Sequence, residues 1–418
     1  MRVSTPTITI AVLTVAGAGC GNPGEQELRG TSEVLRPALE LYSQNKLDTA
    51  LSLFQSAVAG HPGDADSHAW VAETARRLRQ FGLVKEETEA ALAIDPCNSF
   101  AHTVLGDAYR SELSGWKETD ADQSWTHYMK AVECNPGDGN PWIGIWSGAM
   151  SQGDRAMEER ALRQLVETDF LTPSVLAFNR WVLRSLPEDA ILITNGDWDT
   201  FPALALQFVE ATRGDVGIIN RSLLNLPWYA ELMSERHGVD LQMGVAERES
   251  FRPHREADGT VVTLSDAMIY GWIESGDVSG RPLVFSATVY MKGFQKSARI
   301  QFAGAHWRLS PEADTRDVDA ASVRIAMEAV SGDNFSTPEV SQQDRSAIRR
   351  LAARNRGLAR AVLHTGYRYA EALSQSGDVA AVAEAAEWAE RFANDAGLEG
   401  DHRGVVERIK EMVQGAAR

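Results

Sequence analysis

The feature that most limits how this chain can fold is a recurring six-residue phrase. Ala57–Pro62 reads AVAGHP, Ala91–Pro96 reads ALAIDP and Ala131–Pro136 reads AVECNP. Pro62 and Pro96 lie 34 residues apart; Pro96 and Pro136 lie 40 apart, the excess falling in the polar stretch SGWKETDADQ. In each copy an Ala and an apolar residue precede the Pro by five and four positions. Proline has no amide proton and restricts the residue before it, so each phrase ends one helix and lets another begin. A period of this length is the mark of stacked units. One helical hairpin cannot bury its own apolar stripe; stacked hairpins can, and they leave a continuous face for a partner.

Leu105-Gly106 and Tyr109 follow the L-G-x-x-Y spacing, and with the period they make the N-terminal half resemble a tetratricopeptide array. The units fall near 33–64, 65–98, 99–138 and 139–171, the last keeping PWIGIWSGAM and a Gly153-Asp154 turn. The resemblance places Glu73, Arg76, Arg77, Asp107 and Arg110 on the groove side of the first helices. Arg76 and Arg110 are 34 residues apart and are expected side by side, where two guanidinium groups could hold an acidic or C-terminal peptide. An ordinary solvated charged face is the competing reading. His68 and His102 also recur at 34, in the packing position that Trp142 fills in the next unit, and are read as spacers rather than ligands.

After Pro187 the texture changes. Ala190–Thr194 is a short apolar run of strand type, Thr200-Phe201-Pro202 opens a helix, Val216–Asn220 is a second strand, and Pro227-Trp228-Tyr229 opens another helix. That order predicts a small parallel sheet. Ser265–Ile273 reads as a helix, Leu283–Tyr290 as a strand, and Ile300–Phe302 and His306–Leu309 as short strands near Gly304. From Asp344 the pattern is helical again, with a hairpin around Ser376-Gly377-Asp378 and a closing helix over Val405–Val413. The fold class is therefore α plus α/β: helical array, parallel-sheet domain, C-terminal helical hairpin.

The blocks TNGDWDTFP, DVGIINRSLLNLPWY and RPLVFSATV resemble the soluble C-terminal part of multi-pass, glycosyltransferase-like membrane proteins related to a transmembrane protein O-mannosyltransferase. The likeness spans about residues 186–310, with Trp198 where the family pattern has a polar residue, usually Asn. The Asp344–Phe392 hairpin also follows the family's trailing helical repeat. The family's sugar-transfer chemistry belongs to a membrane-embedded part that these blocks do not contain, so the resemblance implies a fold and a possible ligand, not transferase activity.

Within these blocks, Asn195, Asp197, Asp199 and Thr200 follow a predicted parallel strand at its carboxyl end, where such sheets bind ligands. The two carboxylates could bind a hard cation or a sugar's hydroxyls, with Trp198 stacking on the sugar. Asp and Thr in such a turn also cap helices routinely. Asn220, Ser222, Trp228 and Tyr229 are expected along the same edge, and Arg281 is expected to pair with Asp197 or Asp199. No Ser-His-Asp set, HExxH or phosphate loop occurs, and His237, His254 and His306 lack ligand spacing.

Residues 1–20 read as a lipoprotein signal. Ile8–Val15 is too short to span a bilayer, and small residues lead to Cys20, the expected lipidation site. Residues 21–32 form a polar tether, 33–185 the repeats, 186–310 the α/β domain, 311–343 a linker and 344–418 the C-terminal helical repeat or cap. A net charge of −17 argues against a nucleic-acid partner. Cys97 and Cys134 either pair in an oxidising compartment or pack as small apolar residues. The expected function is a protein- or peptide-binding scaffold anchored by lipid in the cell envelope, on the periplasmic face of an outer membrane. Carbohydrate recognition or processing at the acidic loop is the alternative. No catalytic residue, metal or cofactor is assigned, and an enzyme is not the expectation.

Overall fold

The computed structural model describes residues 34–110, 118–257, 259–289, 291, 294, 300–309, 318–336, 345–398 and 403–416, the side chains of 345–354 and of 376, 403 and 416 excepted. The signal segment, Cys20 and the tether lie outside the described residues. The array begins with α1 (Arg36–Ser43) and α2 (Leu47–Gly60). It continues through α3 (Ala65–Arg77), α4 (Phe81–Ile94), α5 (Ser99–Tyr109), α6 (Ala121–Cys134), α7 (Pro141–Gln152) and α8 (Arg155–Glu167), packed as hairpins. A further helix, α9 (Pro173–Ser185), leads into the sheet.

The sequence period is visible in the backbone. The helix-ending amides of His61, Asp95 and Asn135 donate to the carbonyls of Ala57, Ala91 and Ala131 at 2.8, 2.9 and 2.9 Å. The same three alanines are buried, because a small side chain lets the neighbouring helix approach. His68 and His102 also recur in contact as in sequence: each Nε2 lies 3.2 Å from the carbonyl of the proline that closes the preceding unit, Pro62 or Pro96. Cys97 and Cys134 form a disulfide with Cα atoms 5.3 Å apart, joining two successive proline turns. In the chain-entropy account, closing a loop with a sequence separation of 37 stabilises by about 4 kcal/mol.

The second half contains β1 (Ile191–Thr194), α10 (Asp197–Glu210), β2 (Gly217–Asn220), α11 (Pro227–His237) and α12 (Val245–Ser250). A small hairpin of β3 (His254–Arg255) and β4 (Val261–Val262) follows, then α13 (Leu264–Ser275), β5 (Leu283–Ser286), β6 (Ile300–Phe302) and β7 (His306–Leu309). The main sheet has the order β2-β1-β5-β7-β6. β1 runs parallel to both β2 and β5, whereas β7 is antiparallel to β5 and to β6. The sheet is thus mixed, not parallel throughout. Gly304, at φ +96, makes the tight reversal that turns β6 and β7 into a hairpin. β5 also ends sooner than its apolar run suggests, because Ser286 and Thr288 turn their hydroxyls toward each other at 2.9 Å.

Within the stretch expected to be a linker, α14 (Ala320–Glu328) forms, capped by Asp319. It buries Val323, Ala326 and Met327. The chain closes with α15 (Arg345–Ser376), α16 (Val379–Asp395) and α17 (Arg403–Ala416), with Gly377 at φ +75 in the turn between the first two. Among the described residues, two hydrophobic clusters result. One, from Leu35 to Ala108, belongs to the first repeats. The other runs without a break from Tyr128 through the sheet to Ile409. No described helix is long and apolar enough to cross a membrane.

Candidate functional site: a charged ladder and the acidic loop

The groove residues of the array form one connected ladder. Tyr42 on α1 donates its hydroxyl to Glu73 at 2.6 Å. Arg76, one turn along α3, donates through Nε and Nη2 to the same carboxylate at 2.7 and 3.0 Å. Its Nη2 also lies 3.3 Å from Asp107 on α5. Tyr128 donates to the other oxygen of Asp107 at 2.6 Å. Arg110 follows at the end of α5: burial opposes its charge, but Tyr128, Asp107 and then Asp197 outweigh burial and raise its pKa. Arg77 is exposed, donates to Asn45 at 2.8 Å and lies over the Tyr42 ring at 4.8 Å.

The expected pair Arg76 and Arg110 is therefore separated by a carboxylate. Acid and base alternate along the ladder, which offsets the cost of holding Glu73 at 2% exposure. The Tyr128 ring is what brings Asp107 into line. It is wedged between Gly106 and Gly144, where an added Cβ would stand 2.6 and 2.1 Å from it.

The far end of the ladder meets the acidic loop. Asp197 and Trp198 there are half-buried, while Asp199 and Thr200 are buried. Asp199 accepts from the amides of Asn195 and Gly196 at 2.8 and 2.9 Å and from the hydroxyl of Thr288. Burial raises its pKa against the pull of those donors. Thr200 shares a 2.6 Å hydrogen bond with Thr194 and accepts from Asn220 at 2.9 Å. Asn220 in turn receives the Leu223 amide on its side-chain oxygen and donates its own amide to Tyr229. Ser222 is exposed and donates to the Asn195 carbonyl at 3.1 Å. This is a polar latch that ties together the carboxyl ends of β1, β2 and β5.

The remaining residues singled out from sequence are engaged differently. Trp198 stacks on Phe170, with centroids 5.9 Å apart, and its carbonyl accepts from Asn179. Trp228 lies edge-on to Tyr229, and its buried indole N–H has no hydrogen-bond partner among the described residues. Arg281 does not meet Asp197 or Asp199. It leads β5 at the opposite end of the sheet and donates to the carbonyls of Asp189, His237 and Asp215 at 2.9, 3.0 and 2.9 Å. It also pairs with the Asp189 carboxylate at 2.9 Å. The error follows from polarity: β1 and β5 are parallel, so a residue before β5 stands at the entrance of β1, not at its exit.

Sequence reasoning missed Thr288, Ser286 and Arg221. Arg221 pairs with Asp266 at 2.5 Å and lies over Phe294. The S-x-T spacing just after an apolar strand was the available signal for the two hydroxyls. No cluster of His, Cys, Asp and Glu able to hold a metal occurs among the described residues. The His102 and His127 Nδ1 atoms lie 3.0 Å apart, and burial lowers both pKa values, His127 to about 4, so the pair is neutral at pH 7.

A family model described as TMEM260-associated domain 2 matches residues 176–244. It takes in most of α9 and the first two sequence blocks, and stops short of Arg281. No curated protein matches the sequence. Among solved structures, a thermophilic TPR protein of Thermus thermophilus is similar at 19% identity, covering 51% of this chain and 97% of that one, with a TM-score of 0.32. The class the chain defines on its own geometry is a tetratricopeptide-like helical array joined to a small mixed sheet and a C-terminal helical cap, with a TMEM260-like segment at the junction.

Proposed function

We propose that the chain is a protein-docking scaffold whose partner lies along the ladder face of the array, bounded at one end by the acidic loop. The observation that carries this reading is the line of polar groups running from Tyr42 through Arg76 and Asp107 to Arg110 and Asp197, across three repeats and onto the sheet domain. Ion pairs within the line hold the guanidinium groups in fixed positions, so their remaining N–H groups are aimed before a partner arrives. A sugar at the acidic loop would find Asp199 committed to the latch and Trp198 stacked on Phe170. Export and a lipid anchor at Cys20 belong to the same proposal, and the Cys97–Cys134 disulfide supports an oxidising compartment.

The test is capture of partners from envelope extract by the wild type and by Arg77→Glu/Arg110→Gln. A protein retained by the wild type and lost by the variant, with melting unchanged, is the expected result. Equal capture would reject the ladder face. In parallel, Cys20→Ser is expected to move the protein from the membrane to the soluble fraction.

A further inference from the structure

The C-terminal cap carries a second charged surface that the ladder does not use. From Arg345 to Ala370 the sequence has seven arginines and no Asp or Glu, in a chain whose net charge is −17. Along α15, Arg356, Arg360, His364 and Arg368 follow at four-residue steps, which places them in one row. Arg356, Arg360 and His364 are exposed and Arg368 is half-buried. Arg408, exposed on α17, adds a further guanidinium over the Tyr367 ring at 5.7 Å, and His364 meets that ring edge-on at 5.5 Å. Arg368 lies 4.9 Å from the Trp307 ring centre and 5.3 Å from that of Phe302. Among the described residues, none of Arg356, Arg360, Arg368 and Arg408 has a carboxylate partner.

We propose that this row is a docking surface for an extended acidic peptide segment of a protein partner. Arg356 and Arg360 are like charges at four-residue spacing, which destabilises a helix, so the pair is held at a cost that an external anion removes. The positive charge of the row comes from arginine, and a planar guanidinium suits a carboxylate held through two hydrogen bonds. Stacking on Trp307 and Phe302 fixes Arg368 in advance, as Tyr367 fixes Arg408.

The spacing agrees with an extended chain. Four helical residues rise about 6 Å, and alternate residues of a strand advance about 6.7 Å. A segment with Asp or Glu at every second position therefore offers roughly one carboxylate per position of the row, His364 included. A lipid surface fits less well, because among the described residues the large apolar side chains that are exposed (Val34, Leu53, Ile94, Val209, Val245, Val261 and Ile325) all lie off these helices. A nucleic acid would extend beyond the row and meet the acidic remainder of the chain. His364 adds a neutral imidazole, since burial and then Arg368, Arg360 and Arg408 lower its pKa.

The experiment uses the full chain and a labelled peptide of alternating Glu and Ser, followed by fluorescence anisotropy at low salt. The wild type is expected to bind it and to ignore an alternating Lys-Ser peptide. Arg360→Gln/Arg408→Gln should bind about tenfold or more weakly, the scale of losing charge-assisted hydrogen bonds. Its melting should not change, because both side chains are exposed. Arg77→Glu on the array should leave the affinity intact, which separates this surface from the ladder. Absence of binding by the wild type, or equal binding by the double variant, overturns the proposal. So does binding to phosphatidylglycerol vesicles without binding to the peptide.

Discussion

At the scale of single residues, Asp197 and Asp199 show how two like side chains, two positions apart, acquire different roles. Asp199 sits at the third position of α10 and turns back to the amides of Asn195 and Gly196, with Thr288 closing the third contact. All three contacts are donors, so the residue must accept on both oxygens. Asp199→Asn replaces one acceptor with an amide that points N–H at N–H, and the expected loss is about 1–3 kcal/mol. Asp197 is half-buried and contributes its charge toward Arg110. Asp197→Asn should melt within about 0.5 kcal/mol of the wild type, as surface changes usually do. Paired thermal scans check both, and equal losses would mean the loop is not divided in this way.

At the scale of elements, the third hairpin is decided by one aromatic ring. Tyr128 is buried between α5 and α7, and each helix has a glycine where the ring passes. The L-G-x-x-Y spacing flagged Gly106 from sequence, but Gly144 on the next unit was not singled out. Its reason is a contact between units, invisible in either one. Gly144→Ala would place a methyl 2.1 Å from the ring. Overpacking of this kind costs about 1–3 kcal/mol, and it should also move the Tyr128 hydroxyl off Asp107. A denaturant titration of Gly144→Ala is expected to show a lower midpoint with an unchanged slope. No shift would mean the helices part freely at this point.

At the scale of the whole molecule, the array and the sheet domain are not beads on a string. The hydrophobic cluster that begins at Tyr128 continues through the sheet to the last helix, whereas the first repeats keep a cluster of their own. The join is secured by buried Glu158 on α8. It receives Arg236 of α11 through two hydrogen bonds at 2.8 and 2.5 Å and Arg155 at 3.3 Å. Trp181 on α9 donates to the carbonyl of Ala326, and Trp388 on α16 donates to that of Met327. The segment between 311 and 343 therefore packs through α14 instead of acting only as a spacer. Glu158→Ala leaves the Arg236 guanidinium in the join without its carboxylate and is expected to cost about 3–5 kcal/mol. Hydrogen exchange should then rise in α8 and α11 before it rises in α3 and α4. Exchange that rises equally everywhere would mean one cooperative unit.

The repeat period, the proline turns and the strand positions of the main sheet were legible in sequence because each is a local property, whereas the short β3–β4 hairpin, with little apolar pattern, was not. A proline lacks a donor wherever it stands, and an apolar run of strand type is read without knowing its neighbours. Alternation could not show that the sheet is mixed, because strand direction is set by the connections between strands. The role of the acidic loop could not be read either. Two carboxylates after a strand are compatible with a cap or with a ligand site until the Thr288 hydroxyl and the Arg110 guanidinium are placed beside them. Arg281 was assigned to the wrong end of the sheet for the same reason. Which carboxylate a guanidinium meets depends on strand polarity and long-range packing, and only the tertiary structure sets those.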